Sequence, residues 1–176
     1  MELHVLLPAK VQGNQFRGSW PAIRMLSKAG DGEFNIDIVE IVNGDPRIHM
    51  SVKTANERSL FPHFPSYVAN ADFTKDPLIA GFEWNLQKNN QIDLTWWMSW
   101  YDISLHKWVS EHTTKTLSSW PSAAQDYSFL HKAFTGEGFS LLINLAEGGD
   151  RPGCETNVNH LPHYMTVLSA KVFGFQ

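Results

Sequence analysis

Polar and apolar residues alternate through Asn35, Ile36, Asp37 and Ile38, within the stretch Gly-Glu-Phe-Asn-Ile-Asp-Ile-Val-Glu-Ile-Val at positions 32–42. A period of two predicts a strand with one buried and one polar face. Ile36 and Ile38 then point into a core, and Asn35 and Asp37 point away from it. Glu40 breaks the parity, because it follows Asp37 by three residues. A β-bulge near Val39 would return Glu40 to the face of Asp37, and bulges are common beside active sites. Without a function, the same stretch is a half-exposed strand with its charges in water. Asn43-Gly44-Asp45-Pro46 predicts a tight turn. Residues 47–54 alternate again, with Ile48, Met50 and Val52 on one face and His49, Ser51 and Lys53 on the other. A hairpin follows, with His49 near the polar face of the first strand.

The same patterning predicts strands at residues 2–7, 79–86, 91–101, 109–116, 138–145 and 164–173. Residues 9–19, 55–77 and 148–162 read as loops, rich in Gly, Asn or Pro. Trp20 to Leu26 is short and apolar, and 118–132 has room for one helical turn around Ser122 to Leu130. Many short strands and almost no helical periodicity predict an all-β fold, a sandwich or jelly roll of antiparallel sheets. No repeat, linker or low-complexity run divides residues 1–176, so a single domain is expected.

Composition narrows the partners. The net charge is −4, which supplies no broad field toward nucleic acid or an acidic membrane, and neither is expected as a partner. The lone Cys154 excludes an internal disulfide. The first residues are too short and polar for a signal peptide, and no apolar run reaches the roughly 18 residues of a membrane span. As written, the chain is expected to be soluble and cytoplasmic. No Cys/His spacing suits zinc, no Gly-rich loop precedes a helix, and no G-x-S-x-G elbow supports a serine nucleophile, so no metal or cofactor is expected. His160 and His163 read as a polar loop. Seven Trp residues stand out, three of them at Trp96, Trp97 and Trp100. They read either as core or as a platform for sugar rings.

Six segments, taken in order, resemble glycoside hydrolase family 16, the laminarinase- and lichenase-like enzymes. Gly18-Ser19-Trp20-Pro21-Ala22-Ile23-Arg24-Met25-Leu26 resembles the family's G-x-W-P-A-x-W-M-L segment. Gly32 to Glu40 resembles its catalytic G-E-I-D-I-x-E strand, and Arg47 to Lys53 the V-H-G-T-x-H strand after it. Phe82-Glu83-Trp84 with Ile92 to Trp97 is similar to L-E-W-T-P-D-x-I-x-W-Y. Phe139 to Gly153 is similar to F-x-L-I-L-N-L-A-V-G-G-x-W-P-G, and Leu161 to Phe173 to the family's closing strand.

The resemblance implies a concanavalin A-like jelly roll with a glycan cleft on its concave face. It implies retaining hydrolysis of β-linked glycans, in which one carboxylate attacks and another acts as acid and base. Glu40 falls at the acid/base position, Asp37 at the central acid and Asn35 at the nucleophile. Trp20, Arg24, Trp96, Trp97, Trp100 and Asn144 fall where substrate would be bound. The departures are specific. Asn35 is an amide, which cannot attack an anomeric carbon, and Glu33 is two residues earlier, roughly 6–7 Å along the strand. Arg24 replaces a Trp, Lys53 replaces a His, and Arg151 stands at another lost Trp. The family's N-terminal strands are also missing, so a sheet edge would need cover from self-association, a partner chain or residues 55–77. Family members are usually secreted.

Three functions fit these residues. A family 16 relic would act on or bind a β-glycan, with hydrolysis opposed by Asn35. A repurposed enzyme would use Asp37, Glu40 and His49 for acid/base chemistry, such as dehydration, isomerisation or cyclisation, on a non-sugar small molecule. A non-catalytic binding module would hold sugar on its Trp residues.

Overall fold

Alternation becomes strand pairing in a computed structural model, which describes residues 1–9, 16–27, 34–45, 47–53, 66–67, 70–87, 91–117, 132–149, 152–153 and 163–173. Ten strands run in chain order: β1 (Glu2–Leu6), β2 (Ser19–Ser27), β3 (Asn35–Glu40), β4 (Arg47–Lys53), β5 (Ser66–Tyr67), β6 (Leu78–Leu86), β7 (Ile92–Asp102), β8 (Lys107–Leu117), β9 (Phe139–Glu147) and β10 (Thr166–Lys171). They form two five-stranded antiparallel sheets, ordered β10-β1-β6-β7-β8 and β5-β4-β3-β2-β9. The expected all-β sandwich is therefore present. The apolar stretch at Trp20 is a full strand, and the loop expected over 55–77 contains the short β5. The helical turn expected around Ser122 to Leu130, and the positions Glu33, Arg151, Cys154 and His160, lie outside the described residues. A π-helical turn spans Ala133–Glu137, and Phe134 buries from it.

The core is made by one parity of each central strand. Leu3 and Val5, Leu78, Ala80 and Phe82, and Ile92, Leu94, Trp96, Met98 and Trp100 come from the first sheet. Ile23 and Met25, Ile36, Ile38 and Val39, and Ile48, Met50 and Val52 come from the second. Ile38 and Val39 are neighbours in sequence, yet both are buried in this core. A bulge allows that, and the register shows it. Asp37 pairs with Ser51 and Glu40 with His49, so three steps on β3 match two on β4. Across the other flank, Asp37 pairs with Arg24 and Val39 with Ile23. The bulge expected near Val39 is thus seen from both neighbouring strands.

Trp96 ties the two sheets together at this irregularity. Its indole Nε1 donates to the backbone carbonyl of Asp37 at 3.1 Å, across the core. The β3–β4 turn is fixed as firmly. Asn43 and Gly44 have φ of 60° and 67°, the left-handed pair that suits a tight hairpin. A Cβ on Gly44 would lie 2.3 Å from Phe16 Cβ, so glycine is required there by space as well as by φ.

The outer strands differ in how they meet solvent. β8 carries Lys107, Glu111, His112 and Lys115, a charged edge that resists pairing. β9 carries no charge between Phe139 and Ala146, and Leu141, Leu142 and Ile143 are exposed. A crevice of about 380 Å³ opens beside β9, lined by Met25, Trp84, Phe134, Phe139, Leu141 and Phe173.

Trp96→Phe keeps a ring in the core but leaves the Asp37 carbonyl without its donor. A loss of about 1–3 kcal/mol in unfolding free energy is expected. Denaturant titration will show it as a lower midpoint at an unchanged slope.

Candidate functional site: a buried charge network on one sheet face

Residues paired across antiparallel strands share a face, so the register alone assembles the site. On β3 the polar face carries Asn35, Asp37 and, because of the bulge, Glu40. On β4 it carries His49, Ser51 and Lys53, opposite Glu40, Asp37 and Asn35 respectively. On β2 it carries Trp20, Ala22, Arg24 and Leu26, and Asn144 of β9 lies opposite Ala22. Seven expected site residues therefore meet on one surface: Asn35, Asp37, Glu40, His49, Trp20, Arg24 and Asn144.

The Trp cluster does not join them. Trp96 and Trp100 belong to the other sheet and are 1% and 4% exposed. They share parity with Ile92, Leu94 and Met98, and this apolar row packs between the sheets. A ring closed in by core contacts offers no face to a sugar, so both are core residues rather than a platform. Trp97 has the opposite parity and covers Gly81, where a Cβ would come 1.9 Å from its Cε2. It lies on the outer face of that sheet, away from Asp37 and Glu40.

The polar face is not a row of solvated charges. Asp37 and Glu40 are both 0% exposed. Burying a lone carboxylate costs several kcal/mol, so each must be compensated. Lys53 does most of this. Its ammonium lies 2.8 Å from Asp37 Oδ2 and 3.8 Å from Glu40 Oε2, joining the two acids. Ser51 Oγ donates to Asp37 Oδ2 at 2.5 Å. Arg24 Nε stands 3.5 Å from Asp37 Oδ1, an ion pair longer than a good hydrogen bond. Trp20 Nε1 donates to Glu40 Oε1 at 3.1 Å, and the Arg24 guanidinium sits 5.4 Å from the centre of the Trp20 ring, within cation–π reach. Two acids and two cations balance.

By the resemblance alone, Arg24 and Lys53 stand where a Trp and a His are expected. In the fold they supply the positive charge that lets Asp37 and Glu40 be buried. Ser51 lies on the polar face, as its alternation implies, and its hydroxyl also bonds Asp37. The hairpin register would have found it, because one bulge residue brings Ser51 opposite Asp37.

The arrangement limits the chemistry. A retaining mechanism needs a second carboxylate placed to attack. Asn35 has none, and its Oδ1 is buried without a hydrogen-bond partner among the described residues. Glu40 is held by an indole N–H and faces an ammonium, so it lacks the solvent access that an acid/base residue uses. Among the described residues no cluster of three His, Cys, Asp or Glu is placed to hold a metal ion.

Lys53→Met is expected to destabilise the fold by about 3–5 kcal/mol, since it strands two buried carboxylates. Asp37→Asn combined with Lys53→Met should recover part of that loss. Thermal and denaturant unfolding of the single and double variants will measure the recovery, and strict additivity would show that the charges do not act together.

No family model matches the chain, and no curated protein or solved structure matches it.

Proposed function

We propose that this chain binds a β-linked glycan on the polar face of the β5-β4-β3-β2-β9 sheet and does not hydrolyse it. The ordered resemblance to glycoside hydrolase family 16 supports the ligand class, and with it the concanavalin A-like jelly-roll topology. One observation carries the loss of turnover. The nucleophile position is the amide Asn35, and the two acids that remain, Asp37 and Glu40, share Lys53 as a counter-ion. A carboxylate locked in an ion pair and shielded from water is poorly placed for proton exchange with a leaving group. The same shielding weighs against acid/base catalysis on a non-sugar molecule through Asp37, Glu40 and His49.

What remains suits recognition. Trp20 is partly exposed, and Arg24 and the Glu40 hydrogen bond fix its ring. Asn35, His49 and Asn144 add groups that can exchange hydrogen bonds with hydroxyls. A rigid aromatic ring beside several polar groups is a common way to bind a sugar, whose pyranose ring has an apolar face and a polar rim.

Calorimetry against oligosaccharides of laminarin, lichenan, agarose and carrageenan, with a parallel reducing-sugar assay, tests this reading. Binding heat with at least one series and no new reducing ends is expected. Trp20→Ala should weaken that binding at least about tenfold. Trp20→Phe should retain much of it, since a ring remains. Absence of binding to every series, or turnover that Glu40→Gln abolishes, would sink the proposal.

A further inference from the structure

An exposed apolar cluster lies on the other sheet, at the tip of the β7–β8 hairpin. Ile103, Leu105 and Trp108 are 45%, 56% and 49% exposed. Each strand of the hairpin is 11 residues long. The tip is therefore carried on the longest pair of strands in the fold. Tyr101 pairs with Trp108 across the strands, and the two rings meet edge to face at 6.2 Å.

The loop is built, not loose. Asp102 Oδ1 accepts the backbone N–H of Ser104 at 2.9 Å, that of Leu105 at 3.0 Å, and the Ser104 hydroxyl at 2.7 Å. These hydrogen bonds, led by Ser104, hold the Asp102 carboxyl below the usual carboxylate range. The N–H of Ile103 donates to the Asn70 carbonyl at 3.0 Å, and Asn70 Nδ2 donates to Ser104 Oγ at 3.1 Å. His106 takes a left-handed φ of 51° to close the turn.

We propose that this tip inserts into the interfacial layer of a lipid bilayer bearing anionic headgroups. Three observations select that partner. First, three large apolar side chains are exposed within the six residues 103–108 at the end of one hairpin. Trp favours the interfacial layer because its ring is amphipathic. Second, the N–H groups of Ile103, Ser104 and Leu105 are already satisfied within the protein. Lowering them out of water leaves no orphan donors, which is the main penalty for backbone near hydrocarbon. Third, the exposed charge at the tip is of one sign. Lys107 is exposed beside His106, while the acid, Asp102, is turned into the loop. The Lys107 ammonium can reach headgroup phosphates while its stem lies along the apolar side chains. The net charge of −4 opposes long-range attraction to such a surface, so docking relies on contact at the tip and is weak and reversible.

Co-sedimentation of the full chain with vesicles of phosphatidylcholine, alone or with phosphatidylserine, tests the proposal. Binding is expected to both, and about fivefold stronger with phosphatidylserine, the effect of one lysine near an anionic surface. Leu105→Ser and Trp108→Ala should each cut binding at least about fivefold. Lys107→Glu should remove the preference for phosphatidylserine. All three residues are exposed, so circular dichroism and melting temperature should stay close to those of the parent. Failure of the parent chain to sediment with either vesicle would overturn the proposal. Binding that the tip variants leave unchanged would do the same. So would sedimentation velocity showing that the tip is consumed in self-association, with Leu105→Ser restoring the monomer.

Discussion

The ion pair of Lys53 with Asp37, shared with Glu40, is the contact on which the second sheet depends. Two carboxylates side by side on one strand and out of water would repel each other and lose their hydration. One ammonium between them, with Arg24 on the far flank, removes both problems. The bulge makes the pairing possible, because it turns Glu40 onto the face of Asp37 while keeping Ile38 and Val39 in the core. Trp96 then caps the Asp37 carbonyl from the opposite sheet. Charge balance on one face and hydrophobic packing on the other are thus set by the same few residues of β3.

This network links Asn35, Arg24 and Lys53 through the two buried acids. Taken singly, Asn35, Arg24 and Lys53 are polar residues on three neighbouring strands. Taken together they form a compensated set. The cations at 24 and 53 allow Asp37 and Glu40 to be closed off from water. A polar face so arranged can be rigid, and rigidity favours selective binding because little order is lost when a ligand arrives.

Two of the exposed apolar surfaces among the described residues sit in unlike settings. On β9 the apolar surface follows a strand edge whose backbone groups are not blocked by charge, and it borders a crevice into the core. At residues 103–108 it crowns a turn whose backbone is internally bonded. The first setting suits pairing with another strand, and the second suits immersion. Neither is visible in the net charge or in the overall composition, because both depend on where a few side chains point.

Local pattern determined much by itself. Alternation at 35–38 and 47–53, the Asn43-Gly44 turn and the parity break at Glu40 were enough to specify a hairpin with a bulge, since a strand's side-chain period is two and a bulge shifts it by one. The apolar row Ile92, Leu94, Trp96, Met98 and Trp100 carried the answer for its Trp residues too, by shared parity with aliphatic neighbours. Pattern could not say that Asp37 and Glu40 are closed off from water, because alternation divides residues between faces without saying what covers either one. Nor could it pair Lys53 with Asp37 and Glu40, which are 16 and 13 positions away in the sequence and meet only through the bulged register of β3 on β4. Those contacts were decided by tertiary structure, where the cost of burying charge selects the arrangement in which Asp37 and Glu40 share a cation.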